Sequence, residues 1–222
     1  MGGGGSYHQM SDSEASTYYA GQTITAAQQA AFDRYTDPDT EPGSLYNFSQ
    51  NMNTAIAQGR RLTAAQQRVW NEINGAMHPL GQKLTLSRYD HADTVQGMLD
   101  QLGVNRNAAS ISADDLRTAL LGVSYTDSRA LSTSVNDFKN AKNAGVFTTR
   151  QFKFTYHASA KAKGVMPGMG RNSRDDFGEM LLGSSNKYKV VGVRDMGTRG
   201  RSKGMPQSVK NVNQIEIIVE VG

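Results

Sequence analysis

The chain has 222 residues, 37% of them hydrophobic, which is enough for one large domain. It contains no cysteine, which excludes disulfides, thiolate metal sites and cysteine nucleophiles. Its four histidines show no HxxxH or HExxH spacing, so no metal site is expected. No signal peptide opens the chain, and no apolar run approaches the roughly 20 residues of a membrane span. We therefore expect no stable membrane association.

The net charge of +4 is unevenly distributed. Residues 1–138 carry 9 Lys/Arg against 14 Asp/Glu, whereas residues 139–210 carry 15 against 4. This asymmetry predicts a basic face for an anionic partner, which could be a phosphate-bearing cofactor, nucleic acid or an acidic protein. Ordinary solvated loops are the alternative interpretation.

Residues 1–21 are rich in Gly, Ser and acidic residues, and we predict a disordered leader there. The opening "MGGGGS" formally fits a myristoylation motif but is more typical of a flexible Gly/Ser segment. The rest, 22–222, is predicted to be a single domain with a helical part over 22–80 and a second part over 81–222.

Capping patterns predict helices in the first half of the chain. Thr25 and Thr63 are each followed three residues later by Gln, the signature of a capping box. The prolines of "DPDTEPG" at 37–43 interrupt the first helix. A helix over 44–59 is predicted from apolar residues at helical spacing, which are Leu45, Phe48, Met52 and Ile56.

The second half is predicted to contain mainly strands. Alternating patterns indicate strands at 83–89, 150–157, 187–194 and 213–221. Helices are predicted at 94–102 and after the N-cap Ser112, with Gly122 as the stop of the second. Because helices come first and strands cluster later, the fold class is α+β.

Three polar elements follow one another along this second half. Arg88 lies in a strand, Ser132-Thr133-Ser134 form the string "STS", and Glu179 precedes the apolar "MLL" of a further strand. Each element alone is also typical of a solvated strand edge. In this order, the set resembles the Arg-Ser-Glu class of mono-ADP-ribosyltransferases, which includes bacterial toxins and enzymes injected by phages. The resemblance covers about residues 83–221.

The resemblance implies a split core of two small, mostly antiparallel sheets, with NAD bound between them and no metal. Arg88 would meet the NAD phosphates and Ser132 would orient Glu179, the catalytic carboxylate. Thr133 and Ser134 would support the nicotinamide pocket. Phe147 and Arg150, in a loop that covers the cofactor in family members, are further candidates for NAD contacts.

The chemistry requires these residue types on its own account. Breaking the nicotinamide–ribose bond produces an oxocarbenium-like centre, which a carboxylate such as that of Glu179 stabilises electrostatically. A guanidinium binds phosphate oxygens in fork geometry, which Arg88 can provide. Short hydroxyls orient such groups without filling the cleft.

One position departs from the family pattern. Many members have Glu or Gln two residues before the catalytic glutamate, where it engages the acceptor, but this chain has Phe177. This puts arginine as the acceptor in doubt. Phe177 could stack on an aromatic or nucleobase acceptor or anchor its loop, and Asp175 or Asp176 could substitute for the missing carboxylate. The loop over 164–176 would contact the acceptor, with Arg174 as a candidate for recognition.

The resemblance predicts transfer of ADP-ribose from NAD to a macromolecular acceptor, protein or nucleic acid, inside a host or target cell that a secreted or injected protein reaches. It also allows for an immunity or inhibitor protein as a partner. Two alternatives stay open. One is an NAD glycohydrolase on the same fold, and the other is a non-enzymatic nucleic-acid-binding module that uses the basic residues of 139–210, including the loop 194–206.

Overall fold

The computed structural model describes residues 6–37, 39–137, 150–168, 178–199 and 212–222. The helices in these segments are α1 (Asp12–Ala20), α2 (Ala26–Thr36), α3 (Phe48–Ala57), α4 (Ala64–Ala76), α5 (Ala92–Gln101) and α6 (Ala113–Leu120), with a 3-10 turn at Ala108–Ser110. The strands are β1 (His78–Pro79), β2 (Leu84–Asp90), β3 (Ser124–Thr126), β4 (Leu131–Ser134), β5 (Phe152–Ala158), β6 (Lys163–Val165), β7 (Glu179–Leu182), β8 (Lys187–Arg199) and β9 (Val212–Val221).

Three helix starts that the capping residues predicted are confirmed. Thr25 and Thr63 are N-caps whose hydroxyls accept from the backbone N–H three residues on, and the glutamine there accepts from the N-cap N–H. Ser112 caps α6 in the same manner through its hydroxyl. Gly122 follows that helix with a φ of 83°, which glycine adopts without steric cost.

The predicted disorder of residues 1–21 is wrong wherever the structure describes this segment. Ser11 and Glu14 form a capping box that starts α1. The preceding Met10 is buried in the core, and its backbone N–H donates to the Val135 carbonyl at 3.0 Å. The composition obscured these features, because one buried methionine and one capping box weigh little against many Gly and Ser residues.

The predicted helix over 44–59 is shorter than expected at its start. Asn47 is the N-cap, so the helix begins at Phe48. Leu45 therefore lies before the helix and is 89% exposed, whereas Phe48 and Met52 are buried as predicted.

The strands of the described segments form one nine-stranded sheet in the order β1-β6-β7-β4-β2-β5-β9-β8-β3. All neighbouring strands within it are antiparallel except β5 and β9, which are parallel. The α+β class with a helical N-terminal part is confirmed, but the sheet count differs from the two that the sequence predicted.

A weak seam between β2 and β4 explains this difference. These two strands share a single register pair, Ser87 with Ser134, whereas β2 pairs with β5 along its whole length from Leu84 to Asp90. The sheet is therefore continuous but nearly divided at this seam, and Arg88 and Ser132 lie on either side of it.

In the described segments, two hydrophobic clusters hold the helices and the sheet together. In the smaller one, α2, α3 and α4 pack against one side of β7 through Leu181. In the larger one, α5 and α6 pack on β2, β5 and β9, and the β7 residues Met180 and Leu182 join this cluster from the other side of their strand. The helical part is thereby fixed against the strand that begins with Glu179.

No helix in the described segments is long and apolar enough to cross a membrane.

Candidate active site

The structure brings together the three residues that the sequence singled out. The Ser132 hydroxyl donates to Glu179 Oε1 at 2.5 Å, and Arg88 Nη1 donates to the Ser132 carbonyl at 3.0 Å. Ser132 thus contacts Glu179 through its side chain and Arg88 through its backbone. Side chains separated by 44 and 47 residues meet in one polar cluster at the seam of the sheet.

The backbone of Gly178 holds Glu179 at the first position of β7. The preceding Gly178 has a φ of 58°, a region that side chains rarely adopt, and its carbonyl accepts from Val135 N–H at 3.1 Å. A Cβ on Gly178 would lie 2.7 Å from Val135 Cγ2. Only glycine fits this position without movement, so the backbone at Gly178 fixes where Glu179 begins.

The other two hydroxyls of the "STS" string have different partners. Thr133 Oγ1 donates to the Met180 carbonyl at 2.8 Å and is buried within the sheet. Ser134 Oγ donates to Asn136 Oδ1 at 2.9 Å. The string therefore contributes one hydroxyl to Glu179 and two to holding β4 in place.

Arg88 is clamped by Asp90 on the same face of β2. Its Nε donates to Asp90 Oδ2 at 2.6 Å and its Nη2 to Asp90 Oδ1 at 2.9 Å. Burial alone would lower the pKa of the Arg88 guanidinium, but the Asp90 carboxylate outweighs this and raises that pKa above its usual value. Arg88 is therefore a permanent cation at the edge of the cleft.

A cavity of about 280 Å³ opens beside Arg88 and Asp90. Its walls come from α5, from the segment between β3 and β4, and from the β5 aromatic residues Phe154 and Tyr156. A second ion pair, Arg129 with Asp127, lies on its rim. Burial would raise the pKa of the Asp127 carboxyl, but the hydrogen bonds and charge of Arg129 prevail and lower it.

Arg150 lies near this cluster but is engaged with the backbone. Its Nη1 donates to the carbonyl of Tyr89, the residue between Arg88 and Asp90, at 2.7 Å. Burial lowers the pKa of the Arg150 guanidinium. The other predicted NAD contact, Phe147, lies outside the described residues, as do the predicted acceptor-recognition residues Phe177, Asp176 and Arg174.

The sequence analysis did not identify a polar contact between the helical part and the residues just before β4, which Tyr35 makes with support from Asn53. The Tyr35 hydroxyl accepts from Asn53 Nδ2 at 3.0 Å and donates to the Ala130 carbonyl at 3.5 Å. Burial raises the pKa of Tyr35 to about 12, and the charge of Glu179 acts in the same direction. Neither residue stands out in the sequence, because a tyrosine or asparagine on a helix has many structural roles.

Among the described residues, no group of three or more His, Asp or Glu side chains is arranged to hold a metal ion.

No protein-family model and no curated protein matches the chain. Solved structures do match. C2-I, the enzymatic component of the Clostridium botulinum C2 toxin, has a TM-score of 0.68 at 17% identity over 95% of this chain and 47% of that one. Plx2a, an ADP-ribosyltransferase toxin from Paenibacillus larvae, has a TM-score of 0.65 at 15% identity, covering 95% of this chain and 92% of Plx2a. C3stau2 from S. aureus, solved with NAD, has a TM-score of 0.62 at 15% identity, covering 98% of this chain and 99% of C3stau2.

The chain thus spans about half the length of C2-I but nearly all of Plx2a and C3stau2. At these identities the likeness establishes the fold. The fold is that of the bacterial ADP-ribosyltransferase toxins, as the order of Arg88, Ser132 and Glu179 in the sequence predicted.

Proposed function

We propose that this protein transfers ADP-ribose from NAD to a macromolecular acceptor and releases nicotinamide. The observation that carries the proposal is the contact chain in which Ser132 donates to Glu179 and accepts from Arg88. It joins a carboxylate, a hydroxyl and a cation beside the seam between β2 and β4 of this fold.

The proposed reaction breaks the bond between ribose C1′ and the nicotinamide nitrogen. Nicotinamide leaves as a neutral molecule with the bonding electrons, and positive charge develops on the ribose. Glu179 stabilises that charge, and the hydrogen bond from Ser132 fixes its carboxylate before the reaction begins. An acceptor nucleophile then bonds to C1′ and loses its proton.

The geometry supports one orientation of NAD. In this orientation the nicotinamide ribose binds beside Glu179. Arg88, which is linked to Glu179 through Ser132, binds the diphosphate, the next part of the NAD molecule. In this orientation the adenosine half enters the cavity, whose lining includes Arg88 and Asp90. Its volume of about 280 Å³ is at the lower end for small-molecule sites, which suits a nucleoside better than the whole dinucleotide.

The acceptor and the biological setting are proposed from the neighbours. Plx2a and C2-I are toxins, and we propose that this chain likewise modifies a macromolecule of a host or target cell after secretion or injection. A protein is the acceptor we favour, because the two basic residues beside the cluster are engaged internally, Arg150 with the Tyr89 carbonyl and Lys153 with Asp137 at 2.8 Å. Other basic residues of the second half are exposed and keep a nucleic acid as the alternative, namely Lys161, Lys163, Lys187, Lys189 and Arg194. A nucleic-acid acceptor, and an immunity or inhibitor protein as a partner, stay predictions.

The catalytic role of Glu179 is tested by the variant Glu179→Gln. Nicotinamide release should fall roughly 10²- to 10³-fold, the loss typical of one preorganised electrostatic group. Glu216→Gln is a matched control, since Glu216 Oε1 also accepts from a strand hydroxyl, Thr155 Oγ1, at 2.6 Å. It lies four strands away in the same sheet, roughly 19 Å at the usual strand spacing.

We expect the control to release nicotinamide at the wild-type rate. Normal turnover by Glu179→Gln, or equal losses in both variants with intact folding, would refute the assignment of Glu179.

The second candidate is an NAD glycohydrolase with water as the acceptor. Phe177 motivates it, because this position holds a polar acceptor-binding residue in many proteins that the sequence resembles. Both reactions share Glu179 and differ only in what attacks C1′, so the fate of the ADP-ribose separates them.

A further inference from the structure

Two arginines that line the cavity are held by the same hydrogen-bond arrangement. In each case the arginine donates hydrogen bonds from Nε and Nη2 to the two carboxylate oxygens of an aspartate two residues away. Arg88 pairs in this manner with Asp90, and Arg129 with Asp127. All four side chains line one cavity. The aspartates are the more buried partners, with side-chain exposures of 6% and 13%, against 29% and 37% for the arginines.

This arrangement leaves a defined edge of each guanidinium for a ligand. An arginine side chain has five N–H donors, and Arg88 uses three of them, two on Asp90 and one on the Ser132 carbonyl. One N–H on each terminal nitrogen of Arg88 has no acceptor among the described residues. Arg129 donates hydrogen bonds from Nε and Nη2 to Asp127, which leaves the two N–H groups of Nη1 for a ligand.

Charge alone does not explain the aspartates. A carboxylate beside each arginine lowers the net positive potential of the cavity, which weakens the long-range attraction for an anion. What the pairing provides instead is orientation, because a guanidinium that is fixed beforehand loses less side-chain entropy when it binds. Two such cations on one cavity match the two phosphates of a diphosphate.

We propose that Arg88 and Arg129 together bind the NAD diphosphate and that Asp90 and Asp127 are positioning residues that act through them. This inference rests on the proposed function, since it assumes NAD in this cleft. It adds Arg129 as a second phosphate ligand and gives the two buried carboxylates a role in binding rather than in the chemical step.

The test is calorimetric titration with ADP-ribose, which carries the diphosphate but cannot react. Asp90→Asn and Asp127→Asn should each weaken binding roughly tenfold, the scale of one hydrogen bond to a charged group. Asp114→Asn is the matched control, because Asp114 also accepts from an arginine, Arg117 Nη1 at 2.6 Å, and neither residue lines the cavity. The affinity of this control for ADP-ribose should be unchanged.

A purely electrostatic cavity predicts the opposite, with Asp90→Asn and Asp127→Asn both binding ADP-ribose more tightly, and that result would overturn the proposal. A double-mutant cycle excludes a merely structural effect. In an Arg88→Lys background the Asp90→Asn change should have little further effect on binding, since lysine cannot form the fork. A full additional loss there would also overturn it.

Steady-state kinetics give a second measure. Asp90→Asn and Arg129→Gln should raise the KM for NAD more than they lower kcat, and a selective loss of kcat would contradict a binding role. If the wild-type protein binds neither NAD nor ADP-ribose, the proposed function fails. If it binds both and the Asn variants bind equally well, only this inference fails.

Discussion

Glu179 contacts Ser132 although Ser134 is the residue directly opposite it on β4. Ser134 is the register partner of Glu179, but the Glu179 carboxylate accepts from the hydroxyl of Ser132, two residues away on the same face. The Glu179 side chain therefore leans along the strand toward Ser132 and Arg88. This diagonal contact aims the carboxylate at the seam of the sheet.

Ser132→Ala should lower kcat for nicotinamide release roughly tenfold or more, because the carboxylate loses the bond that orients it. Ser134→Ala should have a smaller effect on kcat, since its hydroxyl donates to Asn136 instead. Steady-state kinetics of both variants at saturating NAD make the comparison. Equal losses in kcat would contradict a specific role for the Ser132 hydroxyl.

Gly178→Ala should lower both stability and activity. The new Cβ would meet Val135 Cγ2 at 2.7 Å on a backbone with a φ of 58°, so we expect a loss of about 1–3 kcal/mol in the free energy of unfolding. Gly183→Ala is the matched control at the other end of β7, where the nearest atom would lie 3.5 Å away.

Denaturant unfolding and nicotinamide release measure both effects. Equal stability of the two glycine variants would show that a side chain at position 178 does not strain the backbone.

The raised pKa of Tyr35 predicts that the free energy of unfolding falls at alkaline pH. Burial raises its pKa to about 12 in the folded protein, whereas an unfolded tyrosine ionises near 10. The folded state therefore favours the neutral phenol, and this contribution is complete below pH 10 and is lost as the pH rises to about 12. Two pKa units correspond to about 2–3 kcal/mol.

The free energy of unfolding, followed from pH 9 to 12, should fall less steeply for Tyr35→Phe than for the wild-type protein. Tyr46→Phe is the control, because Tyr46 is 57% exposed. Parallel curves for Tyr35→Phe and the wild-type protein would contradict the raised pKa.

The sequence predicted the parts of the site that depend on residue type and order. Arg88, Ser132 and Glu179 were identified because the family resemblance rests on short strings that do not require the fold to be known. The helix starts at Thr25, Thr63 and Ser112 were also predictable, since capping involves only residues three positions apart.

Features that depend on long-range packing were not predictable from the sequence. The contact of Tyr35 with Ala130 spans 95 residues, and the shared cavity of Arg88 and Arg129 exists only once β2 and β4 are adjacent. The single pair between Ser87 and Ser134 decides that the sheet is continuous, and no local pattern encodes one pair. The ordering of α1 depends on the burial of Met10 against the core, which composition obscured.

The most direct test of the central claim uses NAD labelled on the adenylate, incubated with the protein and with extracts of candidate host cells. We predict that label enters a macromolecule, that protease rather than nuclease releases it, and that Glu179→Gln lowers the transfer roughly 10²- to 10³-fold. Free nicotinamide with no labelled macromolecule in any extract would contradict a transferase and assign the site to NAD hydrolysis instead.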